Sequence, residues 1–286
     1  MSNPGDPTSD QTPNRRRLWS DLGPRFGSAL VLIALTATAL YLGGYVFALV
    51  VGAVFAGVYR EWERMVTRAP ITPLGIVLVV MVALSGVVFP LTGPAGTVVV
   101  TAIAIIVAAA RGGDGVVWRS VGLALMAALI IAALGMRGTT IDGVFAGVYL
   151  GTVVWMTDSA AFFTGRQIGG EKLAPEISPS KTWSGALGGL ALGTGAGIFV
   201  WTIFTDSPWW IGFVLSAALS VLGQLGDLCE SAVKRHFRIK DSGDLIPGHG
   251  GLMDRLDSLT FPILLVLIIG TLHAGFDAVA PGLLHW

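Results

Sequence analysis

A chain of 286 residues that is 53% hydrophobic and only 13% charged, with 39 glycines, is too apolar for a water-soluble globular domain and has the make-up of a polytopic membrane protein. Its formal net charge of zero carries no basic bias, which argues against nucleic acid as a partner. The single cysteine, Cys229, excludes an intramolecular disulfide and a cysteine-rich metal site, and reads as a small buried packing residue.

Residues 1–25 read as a disordered tail. The first 14 are polar, contain proline and show no periodicity, and Arg15, Arg16, Arg17 and Arg25 then lead into the first apolar run. The long polar lead without a cleavage site favours a retained first span over a secretory signal. Apolar segments follow at 26–42, 44–59, 72–90, 95–110, 117–135, 143–164, 184–203, 209–233 and 258–276. Some fall short of the ~20 residues a helix needs to cross ~30 Å of hydrocarbon, so tilted or re-entrant elements are expected near Leu42 and Pro94. The expected fold is all-α, one membrane-embedded domain over 26–286, with about nine transmembrane helices and a polar cavity facing the cytoplasm.

Direction follows from the lysines and arginines. With the N-terminus cytoplasmic, alternating spans put 17 of the 18 basic residues inside and only Arg137 outside. Trp209, Trp210 and Trp286 then lie near outer ends, where aromatic rings anchor at the interface. Asp158 stands inside an apolar segment, where a bare carboxylate would cost about 2.5–3.5 kcal/mol, so it should face protein or water. It reads either as an intramembrane pair that serves packing or as a functional group, since Arg166, Lys172 and Lys181 follow on the same side.

The densest polar stretch is Ser231 to Asp257, SAVKRHFRIKDSGDLIPGHGGLMDRLD, set between two apolar segments. Asp227, Ser231 and Lys234 fall at i, i+4 and i+7 and share a helix face, and Asp254, Asp257 and Ser258 repeat the pattern at the start of the next segment. Between them, Gly248, Gly250 and Gly251 flank His249 in a turn whose backbone N–H groups can approach an anion. Carboxylates on two helix ends are hard oxygen donors of the kind Mg²⁺ prefers. The set suits phosphoryl or nucleotidyl transfer; the competing reading is a basic cytosolic loop that meets lipid head groups. Glu230 reads as an i,i+4 partner of Lys234 or as a further carboxylate ligand.

Ser231, Lys234, Arg235, Lys240, Asp241, Gly243, Ile246, Pro247, His249, Gly250, Gly251, Asp254, Arg255 and Asp257 together resemble the signature of the phosphatidate cytidylyltransferase (CDP-diacylglycerol synthase) family. A second stretch, GRQIGGEKLAPEISPSKTW, resembles another region of that family through Ser178, Pro179, Lys181 and Thr182, but has Ser180 where a lysine is common and Ser184 where a glutamate is common. The resemblance implies transfer of CMP from CTP to phosphatidic acid, giving CDP-diacylglycerol and pyrophosphate, in the inner (plasma) membrane of a bacterial-type cell. It implies Mg²⁺, with a second cation left open, and a homodimer. Asp227, Asp254 and Asp257 would hold metal. Ser231 and Lys234 would join them in catalysis. Ser178, Lys181, Thr182, Arg235, Lys240, His249, Gly250, Gly251 and Arg255 would contact phosphates or substrate. The rival readings are a CTP-dependent lipid kinase, which differs in the phosphorus attacked, and a transporter lined by Asp158 and Asp227. The spaced aspartates of a CDP-alcohol phosphotransferase are not found.

Overall fold

The computed structural model describes residues 22–113, 115–243 and 250–286. Nine long helices run through them: α1 (Leu22–Leu42), α2 (Gly44–Thr67), α3 (Pro73–Thr92), α4 (Pro94–Arg111), α5 (Val116–Arg137), α6 (Asp142–Ile168), α7 (Trp183–Phe204), α8 (Trp209–His236) and α9 (Asp257–Ala274). A short helix, α10 (Val279–Leu284), follows. Among the described residues α2 to α9 are eight helices long and apolar enough to cross a membrane, and α1 adds a shorter apolar stretch, Ile33–Leu42. The protein is an all-α polytopic integral membrane protein. Helix α1 begins at Leu22, within the stretch expected to be tail.

Local chemistry sets the corners. Thr72 caps α3, its Oγ1 accepting from the Gly75 N–H at 3.1 Å, with Pro73 opening the helix. Gly93, at φ 64°, turns α3 into α4, which again opens on a proline. The sequence did not show a two-stranded antiparallel ribbon, β1 (Lys172–Ala174) and β2 (Ser178–Thr182), between α6 and α7. Three- and five-residue strands rich in Ser, Pro and Lys carry no alternation to read.

Helices α6 and α7 form the most extensive pair. Gly185, Gly189, Gly193 and Gly197 recur every fourth residue on α7. A Cβ at Gly189 would lie 2.8 Å from the Thr157 carbonyl oxygen, and one at Gly193 would lie 2.1 Å from Thr157 Oγ1. Backbones therefore approach as they do in small-residue membrane interfaces. Alternation of the helices puts the C-termini of α2, α6 and α8 and the N-termini of α5, α7 and α9 at one end. Contacts across the bundle agree: Trp62 Nε1 donates to the Trp118 carbonyl at 2.8 Å, and Arg119 pairs with Glu63 at 2.9 Å. At the opposite end Arg137 donates to the carbonyls of Leu40, Tyr41 (3.0 Å) and Thr140 (3.1 Å), the first two in the last turn of α1. Trp209 and Trp210 open α8 at that end and are exposed.

Candidate active site

The site grows from the α6–α7 pair and the ribbon that joins it. Thr182 caps α7, its buried Oγ1 accepting from the Gly185 N–H at 3.2 Å, and this fixes where β2 ends and Lys181 begins. Ser184 Oγ donates to the Gly169 carbonyl at 2.5 Å and ties the start of α7 to the end of α6. From α8, Arg235 Nε donates to the Ile177 carbonyl at 3.3 Å and holds the ribbon against that helix. The space left is a cavity of about 510 Å³, lined among others by Asp158, Arg166, Lys172, Ser180, Lys181, Gln224 and Asp227. Three cations thus share a cavity with two carboxylates. Lys181 Nζ lies 2.5 Å from Asp227 Oδ2.

Carboxylates continue past this cavity. Asp158 Oδ2 accepts from Ser258 Oγ at 2.7 Å, and Asp257 Oδ1 accepts from the Ser258 N–H at 2.7 Å. Asp158, Asp227 and Asp257 are electrostatic neighbours that repel one another. Two turns further along α8, Lys234 Nζ reaches Asp254 Oδ1 at 2.6 Å and Glu230 Oε1 at 3.1 Å, the i,i+4 pairing expected for Glu230. Burial raises the Asp254 carboxyl, but the hydrogen bond from Lys234 leads a group of opposing contacts, Ser242 among them, that holds it below the ordinary carboxylate value of 3.8. Five carboxylates, Asp158, Asp227, Glu230, Asp254 and Asp257, thus meet four cations, Arg166, Lys172, Lys181 and Lys234.

Of the glycine-rich signature turn, Gly250 and Gly251 lie among the described residues and Gly248 and His249 do not. Gly250 takes φ 79°, which favours glycine. The N–H of Gly251 donates to Asp254 Oδ2 at 3.3 Å, and those of Leu252 and Met253 donate to Glu61 Oε1 at 2.9 Å and Oε2 at 2.8 Å. Protein carboxylates therefore occupy these donors. Glu61, from the C-terminal end of α2, is a member of this carboxylate cluster that sequence reasoning missed. Its only sequence signal is a pair of acids, Glu61 and Glu63, in an apolar helix.

Of the sequence-predicted residues, Lys181, Thr182 and Asp227 line the cavity. Thr182 does so with its oxygen engaged as a cap. Ser231 Oγ lies 3.5 Å from Asp227 Oδ1 on the shared face of α8. Lys234, Asp254 and Asp257 cluster beside the cavity, whereas Ser178, Arg235, Lys240 and Arg255 are not among its lining residues. His249 lies outside the described residues. Among the described residues no three Asp, Glu, His or Cys side chains are drawn into a metal-binding set, because Asp227 and Asp254 each close on a lysine. Cys229 is exposed, which corrects its reading as a buried residue: its side chain borders an open cavity and is not packed into the core. It lines a second cavity, of about 230 Å³, across α8 from the first. Phe55, Trp62, Met126, Val233 and Phe261 also line it, with Glu230 and Asp257 at its polar edge.

A helical membrane bundle with a basic and acidic cavity at one end, beside an apolar cavity edged by two further carboxylates, Glu230 and Asp257, has the make-up of a membrane-embedded enzyme that handles phosphates. A family model described as the cytidylyltransferase family matches residues 24–273. A phosphatidate cytidylyltransferase of Brucella suis is 35% identical over 262 residues, covering 90% of this chain and 96% of the relative. Shorter matches reach 48% over 114 residues with the phosphatidate cytidylyltransferase of Bacillus subtilis, 40% of this chain and 42% of the relative. The enzyme of that name from Staphylococcus haemolyticus is 46% identical over 135 residues, 46% of this chain and 52% of the relative. The chain belongs to the cytidylyltransferase family.

Proposed function

We propose that the protein transfers CMP from CTP to phosphatidate, forming CDP-diacylglycerol and releasing pyrophosphate. A phosphate oxygen of the lipid attacks the α-phosphorus of CTP in line, the bond from that phosphorus to the bridging oxygen breaks, and the electron pair leaves on pyrophosphate. The observation that carries this reading is the cavity of about 510 Å³ in which Arg166, Lys172 and Lys181 face Asp158 and Asp227. Its size suits a nucleotide, since ligand sites run at about 300–1,000 Å³. Its three cations neutralise phosphate oxygens, and Arg166 adds a planar fork for bidentate contact. The apolar cavity across α8 supports approach of the lipid from the bilayer side.

Magnesium belongs to this proposal. Five carboxylates against four cations, Arg166, Lys172, Lys181 and Lys234, leave hard-oxygen donors in excess, which fits a divalent cation, although the side chains as they stand are not gathered into a shell. Asp227 and Asp257, which repel each other, would hold it; Asp254 would join them if Lys234 turned aside. When bound, the ion would neutralise the charge that develops on the transferring phosphates. The chain's own residues orient the reactants: Lys181 and Lys234 meet phosphate oxygens, and Ser231 steadies Asp227. A lipid phosphate is already ionised near pH 7, so no general base is required. Lys and Arg lie at the site end, with Arg137 opposite, and this supports a cytoplasmic site in the inner membrane. The homodimer rests on the resemblance alone.

The test is transfer by purified protein in detergent, with phosphatidate, Mg²⁺ and CTP labelled at the α-phosphate, and with Asp227→Asn alongside. Labelled CDP-lipid with equal pyrophosphate, lost on chelation and in the variant, is the expected result. CDP release with a phosphate gained by the lipid would instead mean a kinase, and no product with any lipid would end both readings.

A further inference from the structure

Glu61 lies outside both signature regions, in the run REWERM that ends α2. Its residue is 1% exposed, yet its carboxylate collects three donors from the far part of the chain: the N–H groups of Leu252 (2.9 Å) and Met253 (2.8 Å) and the hydroxyl of Ser242 (3.2 Å). The next residue after Met253 is Asp254. Ser242 also stands 2.9 Å from Asp254 Oδ2, and the N–H groups of Ser242 and Gly251 both point to that oxygen at 3.3 Å. A hydroxyl has one proton, so Ser242 serves two carboxylates in turn and links them.

The signature glycines follow the same geometry. A Cβ on Gly243 would lie 3.0 Å from Glu61 Oε1, and one on Gly251 would lie 1.8 Å from Ser242 Oγ and 3.0 Å from Glu61 Oε2. Both flanks of the signature turn are thus wrapped on one carboxylate. An apolar side chain would fill the volume but would leave two buried N–H groups without acceptors. A carboxylate accepts at fixed directions, so it sets orientation as well as contact.

We propose that Glu61 is a positioning residue for the transfer reaction: it fixes Ser242, Leu252 and Met253 so that Asp254 meets Lys234, and it touches no substrate itself. The proposal rests on the cytidylyltransferase reading above. A misplacement of about 1 Å in a reacting constellation can cost about 10²-fold in rate, with little effect on binding.

The experiment uses the full-length protein in detergent. Wild type, Glu61→Gln and Glu63→Gln are compared for kcat, for KM with CTP, for thermal midpoint and for amide exchange at Leu252 and Met253. Glutamine keeps the shape of Glu61 but turns a donor toward one of the two N–H groups. Glu61→Gln is expected to stay folded, to lose at least tenfold in kcat with KM for CTP changed less than threefold, and to exchange those two amides at least tenfold faster. Glu63→Gln, which breaks only the buried pair with Arg119, should lower the thermal midpoint and keep kcat within twofold. Glu61→Gln with kcat within twofold of wild type would overturn the proposal, as would a loss no larger than that in Glu63→Gln. If Glu61→Gln does not fold, Ser242→Ala takes its place. It removes one of the three donors and should lower kcat about threefold; unchanged kcat there overturns the proposal equally. Absence of transfer by wild type would fail the cytidylyltransferase reading and the proposal with it, whereas an active wild type with unaffected variants fails the positioning role alone.

Discussion

Replacing Lys234 by methionine keeps most of the side-chain stem and deletes one charge. That ammonium sits between Asp254 Oδ1 at 2.6 Å and Glu230 Oε1 at 3.1 Å, with the three side chains 12%, 20% and 9% exposed. An exposed ion pair is worth about 0–1 kcal/mol, but removing one partner of a buried one costs about 3–5 kcal/mol, because the other charge is left without compensation. Two carboxylates are stranded here, and proton uptake relieves part of their repulsion, so we expect the lower end, about 3 kcal/mol. At roughly 2–4 °C per kcal/mol for a domain of this order of size, the thermal midpoint should fall by about 6–12 °C. Nine tryptophans make intrinsic fluorescence in detergent a direct readout. The pH dependence supplies a sign. In wild type, Asp254 is held below 3.8, so its contribution is full above that value and is lost as pH falls through the lower folded pKa. Without Lys234 the burial that raises Asp254 loses its chief opponent and only contacts such as Ser242 still resist it, so acid should narrow the gap between variant and wild type. A midpoint within 2 °C of wild type, or a gap that widens in acid, would refute the buried-pair reasoning.

Other expectations follow from single contacts. Gly189→Val drives a branched side chain at the Thr157 carbonyl, which as backbone cannot step aside; overpacking of this kind costs about 1–3 kcal/mol, and because α6 carries Asp158, activity should fall with stability. In a double-mutant cycle on kcat/KM, Lys181→Met and Asp227→Asn should each cost at least tenfold and their losses should not multiply; fully multiplicative losses would mean the 2.5 Å pair does no shared work. Thr182→Val should cost about 1 kcal/mol in stability through the lost cap, with KM for CTP changed less than threefold, since its oxygen already accepts from Gly185. A large rise in KM there would instead return Thr182 to the phosphate contacts.

The helices were legible because hydropathy reports what lipid demands, and their polar ends were not. Helix α2 was expected to stop near residue 59 but runs to Thr67, since REWERM turns Glu61, Trp62 and Glu63 inward where a hydropathy reading sees only charge. The pairing of Glu230 with Lys234 could be read because both lie on one helix. Lys181 with Asp227, and Glu61 with Leu252, could not, because nothing local in the chain marks partners that distant. The stretch after the signature turn shows another limit. The N–H groups of Gly251, Leu252 and Met253 meet the protein's own carboxylates, Asp254 and Glu61, which the spacing of the glycines does not announce. Cys229 failed for another reason, since a cavity left between packed helices is not marked in the sequence.

Arg137 bears on how the molecule is built. It is the one described arginine at the end away from the site, and the carbonyls that receive it at the end of α1 belong to a helix made long before α5. Those carbonyls give its guanidinium a polar harbour on the far side of the bilayer. The guanidinium therefore staples the first helix to the fifth, two elements far apart in the chain, at the end that carries none of the site's charges. A truncation that spares every residue of the site but removes α1 would strip that charge of two of its acceptors and so reach the chemistry only through the stability of α5.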